Sequence, residues 1–159
     1  MKVSYLAIGL IAVVLLISVS VVSGVEPSTI SPQLKIPNSS QPFDDKAFQE
    51  RADFAIKNLT NPFPTENNLM ELQSAYYDLV KKNVKQDFYA EARNITKFLF
   101  YDMKAAEEMQ DYKEQTGPNH IQMDFREDIG DQAYADLDAA KRAWKSISHL
   151  YPNFTPAFP

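Results

Sequence analysis

The chain has 159 residues, no cysteine, and 16 basic against 21 acidic side chains, for a net charge of −5. That length suits one domain of ordinary size, and the missing thiols exclude disulfide frameworks, thiolate zinc centres, covalent haem attachment, cysteine nucleophiles and a cysteine-borne lipid anchor. The densest basic stretch, Lys81-Lys82 with Lys85, is too short for a phosphate-backbone binder, which needs a clustered basic surface, so nucleic acid is not an expected partner.

Residues 1–24 read as a signal peptide or a single-span membrane anchor. Lys2 supplies a positive start, and residues 5–22 are uncharged and almost wholly apolar. Such a run, if helical, spans about 27 Å at 1.5 Å per residue, close to the roughly 30 Å hydrocarbon thickness of a bilayer. It is longer than the apolar run of an ordinary cleavable signal, yet Val22-Ser23-Gly24 offers small residues for a cut before Val25. Both readings stay open. In either case the positive start places the remainder outside the cytoplasm, at the cell surface, in a periplasm or secreted. If the leader is uncleaved, the membrane is a partner through residues 1–24. Absence of cysteine fits a prokaryotic setting, since exported eukaryotic domains commonly rely on disulfides.

Residues 25–43 carry four prolines and five serines or threonines. Proline removes a backbone donor and fixes φ, so this stretch is expected as an extended Pro/Ser-rich linker. The chain holds four Asn-x-Ser/Thr tripeptides, at Asn38, Asn58, Asn94 and Asn153. They are candidate N-glycosylation acceptors, consistent with export. Asn38 and Asn153 lie in Pro-rich stretches and are the better acceptors, whereas Asn94 falls within an expected helix.

Residues 44–151 read as a helical domain. Asp44 and Asp45 are expected to cap a first helix over 44–59, in which Phe48, Ala52, Ala55, Ile56 and Leu59 form one apolar stripe. The Asn61-Pro62-Phe63-Pro64 run stops it. A second helix is expected from about Asn68, with Glu71 completing a capping box and Leu69, Leu72, Tyr76, Leu79 and Val80 facing inward. A pause at 83–87 precedes a third helix over 87–115. Its inner face carries Phe88, Ala92, Ile95, Leu99, Met103 and Ala106, and Gly117-Pro118 ends it. Phe88, Tyr89, Phe98, Phe100 and Tyr101 point in several directions round this helix, which suits a central place in a bundle. The alternative is an exposed aromatic patch.

Ile121, Phe125 and Ile129 precede Gly130, expected as a break, after which Asp131 caps a last helix. In that helix Ala133, Leu137, Ala140, Trp144, Ile147 and Tyr151 alternate by four and three, and it closes at Pro152, leaving a Pro-rich tail over 152–159. Ala140, Trp144, Ile147 and Pro152 resemble the second half of a tetratricopeptide repeat. The first-helix signature is missing and the internal spacing is forty to forty-eight residues instead of thirty-four, so no family is assigned. No stretch alternates with a period of two. The fold class is therefore all-α: a small antiparallel helical bundle or stacked helical hairpins, of four to five helices, after an N-terminal hydrophobic helix.

Chemistry-bearing motifs are few. The two histidines, His120 and His149, lack the spacing of a zinc or di-iron site, and His149 suits the negative end of the last helix. Glu107, Glu108, Asp111 and Glu114, like Asp124, Glu127, Asp128 and Asp131, are interleaved with Lys104, Lys113 and Arg126 as on solvated faces. Glycine outside the leader is confined to Gly117 and Gly130, too little for a phosphate-cradling loop. No catalytic residue, cofactor or metal is assigned. The expected function is a non-enzymatic, exported or membrane-anchored helical interaction module that meets a protein partner through outward aromatics, Tyr101 and Trp144 foremost. The alternative is a small helical ligand- or cation-binding protein with a pocket between helices.

Overall fold

The computed structural model describes residues 26–29, 33–60, 65–115 and 124–158. Among these residues four α-helices follow one another: α1 (Asp45–Asn58), α2 (Glu66–Leu79), α3 (Tyr89–Gln115) and α4 (Asp124–Ile147), with a 3-10 turn at Ser148–Leu150. No strand occurs among the described residues. The architecture is a small all-α bundle, as the apolar spacing requires. The leader, the proline stop after α1, Gly117-Pro118, His120 and Ile121 lie outside the described residues.

The inner stripes are buried as read. Phe48, Ala52, Ala55 and Ile56 of α1 and Leu69, Leu72, Tyr76 and Leu79 of α2 meet Ala92, Ile95, Leu99, Met103 and Ala106 of α3 in one core. Pairing distances show that neighbouring helices run antiparallel. The Tyr76 and Phe100 rings lie 5.6 Å apart, and earlier along α2 Gln73 donates to Glu107, which lies later along α3. Phe98 and Trp144 stand 5.1 Å apart between α3 and α4, and later along α3 Glu108 meets Asp136, earlier in α4. The most extensive helix contact is between α3 and α4. α3 is accordingly central, and Phe98 and Phe100 are buried in the core.

Four expectations about the elements are corrected. Asp44 stands at the start of α1 without a side-chain cap; its carboxylate accepts from the Asn83 N–H at 3.3 Å, and that of Asp45 accepts from the Lys85 N–H at 2.9 Å. The two acids tie α1 to the α2–α3 connection instead of to its own first turn. α2 begins at Glu66, earlier than Asn68, because Thr65 caps it by accepting from the Asn68 N–H. Glu71, free of a capping role, pairs with Arg51 of α1 at 2.8 Å. Gly130 does not break the last helix, which runs through it from Asp124. The extensive contact of α4 with α3 outweighs the roughly 1 kcal/mol that glycine costs in a helix interior.

The proline-bearing segments at both ends lie against the bundle. Leu34 is buried in the core, the Lys35 N–H donates to the Val80 carbonyl at 2.9 Å, and residues 38–42 wrap round the Asn83 side chain. A linker without helical donors is free to satisfy its carbonyls elsewhere, and the buried amide of Asn83 supplies the donors. At the other end Phe154 packs edge-on against Trp144 at 5.8 Å, and Phe158 packs against Phe98 at 6.3 Å.

Candidate functional site

α3 and α4 build two adjoining polar features along their contact. The first is a layer of acids. Asp136 of α4 is fully buried, and its two oxygens accept from the Ser28 N–H and Ser28 Oγ–H, each at 2.6 Å. Glu108 of α3 hydrogen-bonds the same carboxyl group. A bond between two carboxyl groups requires a proton on one of them, and burial, followed by the charge of Asp136, pushes Glu108 up to about 7. Next to it Glu107 accepts from Gln73 of α2 and from Lys104 one turn back. Burial opposes the charge on Lys104, but the Glu107 bond and the charges of Glu107, Glu108 and Asp136 outweigh it and hold its pKa above the ordinary value.

Asp102, also on α3, is buried at 2 % exposure, and its Oδ2 has no hydrogen-bond partner. Burial pushes its carboxyl up to about 7. The Glu108 Oε2 is likewise buried and unbonded. Asp102 and Asp136 are closed off from solvent, Asp136 with Ser28 over it, whereas Glu107 and Glu108 are half-buried. Among the described residues no group of three or more His, Asp or Glu side chains is placed to hold a metal ion.

The second feature is a half-open cleft of about 340 Å³, lined by Pro27, Asn94, Lys97 and Tyr101 on one side and Ala139, Arg142, Ala143 and Ser146 on the other. Tyr101 lines it and also feels the charge of Asp136 in the acid layer. Burial and then the charge of Asp136 raise the Tyr101 hydroxyl pKa, while Arg142 works the other way. The phenol therefore stays protonated and able to donate.

Tyr101 and Trp144, expected outward, are instead buried at 8 % and 9 % exposure. Trp144 is enclosed by Phe98, Tyr151 and Phe154; the tail folds back over it, which its sequence spacing could not show. Tyr101 keeps only its edge on the cleft. The exposed large apolar side chains are Ile36, Phe43, Phe54, Met70, Tyr77 and Tyr134.

Of the glycosylation candidates, Asn38 and Asn153 are exposed, and the Asn38 Oδ1 accepts from the Ser40 N–H in a tight Asx turn. Asn58 is exposed but its Thr60 hydroxyl is buried and donates to the Ile56 carbonyl at 2.6 Å. Asn94 is half-buried in α3, and the Thr96 hydroxyl donates to the Arg93 carbonyl at 3.0 Å. His149 is exposed in the last turn.

Of the residues that build these two features, sequence reading placed Glu107 and Glu108 on a solvated face and left Asp102, Asp136, Ser28 and Arg142 unassigned. One signal was available for Asp136. It falls on the same helical stripe as Ala133, Leu137 and Ala140, where an acid is out of place unless it is paired.

No known protein family matches the chain, and no curated protein or solved structure shows significant similarity to it. The functional reading therefore rests on the chain's own chemistry.

Proposed function

We propose that this chain is a non-enzymatic helical binding module that works outside the cytoplasm, exported or held at the membrane by residues 1–24. The observation that carries the reading is the apolar run over residues 5–22, uncharged and close to bilayer length behind Lys2. Among the described residues no helix is long and apolar enough to cross a membrane, so any anchoring role falls to that run. The exposed Asn38 and Asn153 tripeptides are the acceptors proposed for glycan attachment.

A second reading, a small-ligand protein, is favoured by the cleft beside Tyr101, since a polar, half-enclosed space between helices is where bundles accommodate ligands. The test of the main reading is fractionation of cells making the full chain, with carbonate extraction and intact-mass measurement. Recovery in the membrane at full length, or outside the cytoplasm beginning at Val25, is the expected result. Recovery of the intact chain in the cytosol contradicts the proposal.

A further inference from the structure

We infer that the cleft between α3 and α4 is a binding site for a phosphate ester, with Lys97 and Arg142 as its charged donors. The inference deepens the binding-module reading and, for the source of the ligand, rests on residues 5–22 lying in a membrane.

Lys97 and Arg142 come from facing helices and line one cavity. Both are exposed, and neither belongs to any ion pair among the described residues, although six other such pairs occur. What sets these two cations apart is their shared place on one cavity, in a chain with a net charge of −5. Asn94, Ser146 and the Tyr101 hydroxyl add neutral hydrogen-bonding groups on the same lining. Two cationic donors supplied by two helices, one of them a guanidinium, suit an oxyanion with several acceptor oxygens such as a phosphate ester. The cleft is larger than a bare phosphate needs, and Pro27, Ala139 and Ala143 give it apolar walls for the carbon portion of an ester.

The charge of Asp136 acts on Tyr101 of the cleft lining. The two oxygens of Asp136 accept from the Ser28 N–H and Oγ–H, so its field on the cleft is blunted. Pro27 places the site. The wall residue is five positions beyond Val22, the end of the apolar run, and five residues reach at most about 18 Å. With that run in a bilayer, the cleft is within reach of the phosphodiester headgroups. The same chemistry is offered by a free phosphate monoester, so the test carries both.

The experiment is calorimetric titration of the full chain in non-ionic detergent with two probes, glycerol 3-phosphate and phosphatidylglycerol in mixed micelles. The chain with Lys97→Gln and Arg142→Gln is compared with a charge-matched control carrying Lys81→Gln and Lys82→Gln, and thermal unfolding verifies that each is folded. Saturable binding of at least one probe, weakened tenfold or more by K97Q/R142Q and unchanged by the control, is expected. Binding of the lipid alone identifies a headgroup as the ligand; binding of both identifies the phosphate ester itself. No saturable binding, or equal losses in both variants, overturns the inference. Should fractionation place the chain away from membranes while glycerol 3-phosphate still binds through Lys97 and Arg142, the cleft stands and the membrane reading falls.

Discussion

Asn83 and Asn38, 45 residues apart, are joined in both directions: the Asn83 Oδ1 accepts from the Asn38 N–H at 2.8 Å, and the Asn83 Nδ2 donates to the Asn38 carbonyl at 3.0 Å. The same amide nitrogen reaches the Gln41 and Pro42 carbonyls at 3.2 and 2.9 Å, while the Asn83 carbonyl accepts from the Asp44 N–H at 2.7 Å. One side chain at 2 % exposure thus holds the segment leading into α1 against the α2–α3 connection. Asn83→Ala leaves these backbone groups without partners and is expected to cost about 2–4 kcal/mol, since buried polar networks are worth more than their separate bonds. Urea unfolding of the full chain measures it, and a loss under about 0.5 kcal/mol would mean that water replaces the amide without penalty.

The buried acids set an unusual pH dependence. Asp102 loses its proton near 3.8 when unfolded but is held up to about 7 in the fold by burial. Between those values the folded chain binds more protons than the unfolded one, so stability falls as pH rises and levels off above about 7. Glu108, raised to about 7 by burial and by Asp136, acts in the same direction with a smaller effect because it is partly solvated. The unfolding midpoint is therefore expected to be higher at pH 5 than at pH 8. Asp102→Asn should flatten this dependence and add about 1–3 kcal/mol at pH 8, while changing little at pH 4. Greater stability at pH 8 than at pH 5 in the unsubstituted chain contradicts the assignment.

Ser28 bridges to Asp136 across 108 residues, and the Gln132 side chain donates to the Glu26 carbonyl beside it. Ser28→Ala removes one of the two donors to Asp136 and is expected to raise amide exchange at residues 26–29 several-fold, with helix protection retained. Asp136→Asn removes the charge that helps hold Glu108 up, so Glu108 should titrate lower, as followed by carboxyl-carbon magnetic resonance. An unchanged Glu108 titration would separate the two groups.

Gly130 is a helical residue within α4, where alanine forms the same backbone at lower entropic cost. Gly130→Ala is expected to stabilise the fold by about 0.5–1 kcal/mol. A loss of stability would restore the break that the local sequence suggests.

The inward stripes of all four helices were legible because apolar residues recur at helical spacing, and that period survives in the packed core from Phe48 to Ile147. Gly130 misled because intrinsic propensity is local, whereas the contact of α4 with α3 is not. Asp136 on an apolar stripe carried a readable warning, and Asp102, set in the Phe98–Met103 run, carried a fainter one. The Ser28 and Asn83 attachments had no local signature, since each depends on groups brought together from distant parts of the chain. For the same reason Trp144 was read as outward: its cover, Phe154, arrives only when the tail turns back. The cleft was out of reach because Lys97 and Arg142 share it only through the α3–α4 register.

That the bundle operates beyond the cytoplasmic membrane is tested most directly by labelling a single introduced thiol. The natural chain has no cysteine, and Met70, 61 % exposed on α2, accepts Met70→Cys without disturbing the core. In spheroplasted cells making the full chain, a membrane-impermeant maleimide should label this thiol as completely before lysis as after it. Labelling that appears only once the membrane is broken would place the bundle in the cytoplasm and contradict the account.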